Sequence, residues 1–192
     1  MAHLRALSTV AVLVGLALAG GSARADDTIK TPGDHPSYKV EVEPHLLFGW
    51  DNIYASNGYG LGGRFSIPVV ENGFVPSINN SVAISFGLDF LHYDFCYING
   101  RGCSANALVF PVAMQWNFFV AQKWSVFGEP GLYAYKGFYD SGACNGIPNC
   151  STPSSFFLRP ALYLGGRYYF SEHVALTMRI GYPTFSFGVS FM

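Results

Sequence analysis

"ALYLGGRYYFSEHVALTMRI" (residues 161–180) alternates. Its even positions are Leu162, Leu164, Gly166, Tyr168 and Phe170, then Val174, Leu176, Met178 and Ile180. Its odd positions include Arg167 and Arg179. A period of two sends successive side chains to opposite faces of a strand, so one face is apolar and the other carries the charge. "FSEH" (170–173) separates the two runs and reads as the turn of a hairpin.

The same rhythm continues outward from this hairpin and predicts eight strands, at about 38–50, 59–69, 81–92, 106–119, 123–136, 155–170, 173–181 and 184–192. Opposite the apolar face lie Glu41, Glu43, Arg64, Asp89, Glu129, Arg159, Arg167 and Arg179, among Gly, Ala, Ser and Tyr. A soluble sandwich or barrel buries its apolar face and turns a charge-rich face to water. This chain is 50% hydrophobic, 17% aromatic and only 12% charged, where an ordinary soluble domain carries about 25% charged residues. Small residues with sparse charges of both signs suit a cramped interior, and a membrane barrel has that order, apolar outside and polar inside. The expected fold is all-β, an eight-stranded antiparallel up-and-down transmembrane β-barrel.

The ends of the chain fit an exported protein. Residues 1–25 read as a signal peptide, with a basic start, the apolar run "ALSTVAVLVGLALAG" (6–20) and a small-x-small site "ARA" (23–25). Residues 26–37 read as an N-terminal periplasmic tail and 38–192 as the barrel domain. Losing Arg5 and Arg24 with the leader leaves a net charge of −3. No basic patch remains, so nucleic acid is not an expected partner.

Short turns at "VAQK" (120–123) and "FSEH" (170–173) belong on the periplasmic side, and long loops at 93–105 and 137–154 outside. Those loops hold Cys96, Cys103, Cys144 and Cys150. In an exported chain, close pairs of cysteines predict disulfides that pin the outer loops. Three connectivities are open, of which Cys96–Cys103 with Cys144–Cys150 is the simplest. Zinc fits poorly, since neither pair is C-x-x-C and no histidine pattern accompanies them. No metal and no cofactor is expected. An extracellular partner held through loops 93–105 and 137–154 is the expected interaction.

Pro44, Pro68, Pro111, Pro130 and Pro160 fall within the strands, where a closed barrel offers no free edge. Pro111, Pro130 and Pro160 share a level, which predicts a line of bulges with strands three to six continuing outward beyond it.

The inward charges and His45 predict a lumen network of Glu41, Glu43, His45, Arg64, Asp89, Glu129, Arg159, Arg167 and Arg179. Eight strands enclose only enough room for side chains. An isolated buried charge costs several kcal/mol, so these must pair. The guanidinium fork of arginine suits a carboxylate. The expected product is a plugged lumen. Arg64 and Arg167, each in an LGGR tetrapeptide (61–64 and 164–167), are expected to contact a lumen acid.

The eight alternating strands, the leader and the terminal strand "TFSFGVSFM" together resemble the small outer-membrane β-barrels of the OmpA/OmpX type, over about 38–192. That resemblance implies the outer membrane of a Gram-negative bacterium, with its lipid and lipopolysaccharide as surroundings. It also implies an assembly signal, Phe187, Val189 and Phe191, read by the barrel assembly machinery, although Met192 rather than an aromatic residue is last. A structural or adhesion role follows from a plugged barrel with displayed loops. A transporter or channel for small apolar molecules is the alternative. Some barrels of this size act on the acyl chains of lipid A, with a His-x-Ser arrangement in the deacylase type. That arrangement is absent here, and His45, Glu43 and Ser66 are read as structural, so no enzymatic activity is expected. Asp34 and His35 in "TPGDHP" are expected in a solvated linker.

Overall fold

The computed structural model describes residues 28–49, 57–98, 101–139 and 156–192, without the side chains of 94–98, 101–103 and 139. The expected leader, Trp50, Tyr54 and most of the loop 137–154 lie outside the described residues. Eight strands form: β1 Glu41–Gly49, β2 Gly58–Val70, β3 Asn80–Ile98, β4 Arg101–Ala121, β5 Trp124–Tyr139, β6 Phe156–Ser171, β7 Val174–Tyr182 and β8 Thr184–Phe191. Each pairs antiparallel with the next, and β1 pairs with β8 to close the barrel.

The alternation places the faces as the sequence predicts. Leu61, Leu164, Ile180 and Phe187 point outward and are exposed, while Glu43, Arg167 and Ser190 point inward and are buried. A belt of exposed Leu, Ile, Val and Phe around a polar interior is what a bilayer's hydrocarbon core covers. Trp116, Phe118, Trp124, Tyr168 and Phe170 gather near the end that carries both described termini, with Trp124 and Tyr168 rings 4.9 Å apart. These aromatics form an interfacial girdle at the base of the barrel. On β8, Phe187 and Phe191 face outward, and Val189 beside them is half-buried.

The strands differ in height. A tilted membrane strand needs about 9–11 residues. β1, β7 and β8 have 9, 9 and 8, whereas β3, β4, β5 and β6 have 19, 21, 16 and 16. One half of the barrel therefore rises beyond the membrane as a tall wall.

That wall corrects the expected outer loop at 93–105. β3 runs to Ile98 and β4 starts at Arg101, with Ile98 opposite Arg101. Only Asn99 and Gly100 separate them, and Asn-Gly is the dipeptide most favoured in two-residue hairpins. Cys96 and Cys103 thus fall in facing strands, Cys103 opposite Phe95. Their side chains, and all of Cys144 and Cys150, lie outside the described residues.

The prolines follow a different rule from the bulge line expected of them. A proline lacks an N–H, so it must sit where that donor has no ladder partner. Pro111 keeps its rung with Tyr133 of β5, while the rungs toward β3 skip from Phe86 to Asp89 at unchanged register. Pro130 keeps Leu162 of β6, while the rungs toward β4 skip from Ala113 to Trp116. Pro44 keeps Gly63 of β2, while those toward β8 skip from Val42 to His45. Pro160 pairs with Leu132 above the last rung that β6 shares with β7, Leu162 to Tyr182. Only Pro68 adjoins a register shift. Pro44, Pro111 and Pro130 thus each stand beside two open rungs at unchanged register.

Candidate functional site

The inward-facing side chains lie in layers, beginning at the base. Residues 28–37 of the expected tail lie against the barrel mouth. The His35 ring stacks on inward-facing Phe119, with centroids 4.4 Å apart and planes 8° apart. His35 Nε2 lies 3.0 Å from the Glu71 carbonyl oxygen. Asn79 binds this segment twice, its Nδ2 donating to Asp34 O at 2.6 Å and its N–H to Ile29 O at 2.7 Å. The long connection 71–79 between β2 and β3 therefore fastens the strap. Phe119 packs with Tyr169, Ala175 and Met192, and Tyr38 OH donates to Glu41 Oε2 at 3.4 Å.

Above the strap sits the charged layer. Arg167 Nη2 donates to Glu41 Oε2 at 2.8 Å and Gln115 Oε1 at 2.9 Å, and Nη1 to Asn117 Oδ1 at 2.8 Å. Ser190 Oγ donates to Glu41 Oε1 at 2.6 Å. Arg179 donates from Nη1 to Glu43, and from Nε to Glu129 Oε2 at 3.0 Å. Arg64 reaches Glu129 at 3.5 Å and Asp89 at 3.6 Å. His45 Nε2 stands 3.0 Å from Asp89 Oδ1, and its Nδ1 3.5 Å from Glu43 Oε1. Every one of these charged side chains is at most 1% exposed. The two flanking cations share one ring: Phe127 carries Arg167 at 4.7 Å and Arg179 at 5.1 Å from its centroid.

The outer half of the lumen is aromatic. Tyr93, Tyr133, Tyr135 and Tyr163 pack against Leu47, Leu91, Val109 and alanines of β4 and β6. Phe157 stacks on Tyr135 at 4.6 Å. Large rings here stand beside small residues, Ala105, Ala107 and Ala161.

Glycine makes the crowding possible at two matched places. A Cβ on Gly62 would collide with Asp89 Oδ1 and His45 Nε2. One on Gly165 would collide with the Phe127 ring. These are the first glycines of the two LGGR tetrapeptides. Each clears space for a neighbouring strand's side chain, and the arginine two residues on (Arg64 or Arg167) enters the same layer. The second glycine faces outward, and a Cβ on Gly63 would meet nothing within 4 Å.

Arg159 departs from the expected set. Its position has the inward register, but β6 there stands above the barrel proper. Arg159 is exposed, lies 4.6 Å over the Phe157 ring and donates to Tyr182 OH at 3.4 Å. It takes no part in the lumen network. Ser66 is buried, but its β2 position faces Glu41, while His45 faces Gly62. Four residues of strand, roughly 13 Å, separate the levels of Ser66 and His45, and no serine–histidine pair forms.

Gln115, Asn117, Ser190 and Phe127 hold the network together and were not singled out by charge. Their signal lay in register: Gln115 and Asn117 interrupt "MQWNFF" at the odd positions that face inward.

No protein-family model and no curated protein sequence matches the chain. Solved structures do match in fold. The attachment invasion locus protein Ail of Yersinia pestis, solved with the heparin analogue sucrose octasulfate, superposes with a TM-score of 0.52 at 12% identity, over 79% of this chain and 95% of that one. The outer membrane protein OprG of Pseudomonas aeruginosa superposes with a TM-score of 0.57 at 11% identity, over 84% and 98%. The fold is that of the small outer-membrane β-barrels.

Proposed function

We propose that this outer-membrane barrel is a closed anchor that conducts no solute and holds a tall sheet and its loops at the cell surface for structural or adhesive contact. The observation that carries this reading is the layering of buried side chains along the lumen. A strap at the base, a layer of paired charges and an aromatic layer stand in series across eight strands, an enclosure already too narrow for a wide pore. The height of β3–β6 supports the display role, because strands longer than the bilayer needs must serve something beyond it. The partner is a component outside the cell, met by the tall wall and by the loop between β5 and β6. Disulfides among Cys96, Cys103, Cys144 and Cys150 would pin that region. Outer-membrane lipid and lipopolysaccharide surround the belt, and Phe187, Val189 and Phe191 on the terminal strand serve assembly.

The test is deletion of residues 140–155 in the otherwise intact protein. Adhesion or partner binding by whole cells should be lost, while heat-modifiable migration and membrane fractionation stay unchanged. Unaltered adhesion would defeat the display role.

A transport reading has one feature in its favour. A groove of about 260 Å³ opens on the outer wall between β6, β7 and β8, lined by Leu164, Gly166, Met178, Ile180 and Phe185. Arg179 also lines it, and that guanidinium is held by Glu43 and Glu129. Uptake of a small apolar solute into liposomes carrying the barrel would favour transport over anchoring.

A further inference from the structure

Among the described residues, the lumen's charges fail to balance on arginine alone. Glu41, Glu43, Asp89 and Glu129 are buried with Arg64, Arg167 and Arg179, and Arg159 stands outside. One negative charge would remain in a compartment where an uncompensated charge is costly.

His45 occupies the place of the missing cation. Nε2 faces Asp89 Oδ1 at 3.0 Å. Nδ1 faces the Glu43 carbonyl oxygen at 3.2 Å and Glu43 Oε1 at 3.5 Å. Carbonyl and ionised carboxylate oxygens only accept hydrogen bonds. A neutral imidazole has one N–H, and an imidazolium has two. Only the doubly protonated ring donates in both directions here. Every element around it agrees. β1 presents Glu43, β3 presents Asp89, and β2 presents uncharged Gly62 directly opposite. Arg64 of β2 reaches the far oxygen of Asp89, and Arg179 of β7 the carboxylate of Glu43. Glu129 of β5 is held by both arginines. β8 presents uncharged Ser186 and Gly188. The two acids nearest His45 thus each have one arginine, and both arginines are shared with Glu129.

We propose that the sealed lumen is a proton-binding site, with the proton on His45 as the network's fourth positive charge between Asp89 and Glu43. The proposal rests on the closed-lumen reading. Its consequence has a definite sign. The folded barrel holds a proton that the unfolded chain releases near neutrality, so stability falls as the pH rises and that proton leaves. Gly62 belongs to the site, since any side chain there would push into the His45–Asp89 contact.

The test is nitrogen NMR of the full barrel, labelled with ¹⁵N-histidine and refolded in lipid nanodiscs, at about pH 7.5, where an unperturbed imidazole is mostly neutral. Replacing His3, His35, His92 and His173 with Gln leaves His45 as the reporter even if His45→Gln fails to fold. Both ring nitrogens of His45 should carry protons. A ring with one protonated nitrogen, whether the proton sits on Asp89 or is absent, overturns the proposal. In parallel, the urea midpoint of the wild type should fall between about pH 7 and pH 10 relative to His45→Gln. A constant difference between the two would also overturn it. Bilayer conductance of the same sample separates the two ideas. A silent barrel with a neutral ring rejects the proton site alone, and an open barrel with a cationic ring rejects closure alone.

Discussion

At the scale of the residue, pairing in a buried space governs the lumen. Arg179 compensates two acids at once, Glu43 and Glu129. Arg179→Ala leaves both with less than they need, and breaking a buried pair costs about 3–5 kcal/mol. The same change at Arg159, which is exposed, should stay within about 0.5 kcal/mol. Urea unfolding of the refolded barrel in lipid vesicles measures both, and equal losses would contradict the layering. The glycines give a second paired test. Gly62→Ala should cost about 1–3 kcal/mol from overpacking, because its Cβ meets Asp89 and His45. Gly63→Ala should be neutral or mildly stabilising, because its Cβ enters open space and glycine weakens a strand interior by about 0.5–1 kcal/mol. Most of these residues were legible beforehand, since charge on the inward register marks them. Arg159 was misread because register tells which way a side chain points and not how high its strand stands.

At the scale of the element, local chemistry explains what periodicity alone could not. β3 runs on to Ile98 and β4 starts at Arg101, where a loop was expected at 93–105. The alternating pattern weakens above the membrane, because a strand standing in water needs no apolar face, so strand length there is invisible to hydropathy. The prolines were expected to bulge and instead open rungs. Hydrogen exchange in detergent micelles should show this. The amide of Gly87, at the skipped rung opposite Pro111, should exchange faster than that of Ser85. Equal protection would mean that this rung is closed. The strap at 28–37 was unreadable in sequence, because its hold comes from Asn79, His35 and Phe119, which are far apart in the chain. Asn79→Ala removes the hydrogen bond to Asp34 O. It should speed proteolysis before β1 several-fold without changing the mobility of the folded barrel.

At the scale of the whole molecule, the barrel was legible because closure obeys a simple accounting. Eight alternating strands have one apolar face, and a charge-poor chain must turn that face to lipid. The inner face then has room only for side chains, and the charges it carries must find one another. Strap, charge layer and aromatic layer stand in series, and closure is the property proposed for the molecule as a whole. Planar-bilayer recording of the purified, refolded monomer tests it most directly. The membrane should stay silent, without steady unitary conductance; large, steady channels from the wild-type monomer would contradict the closed lumen.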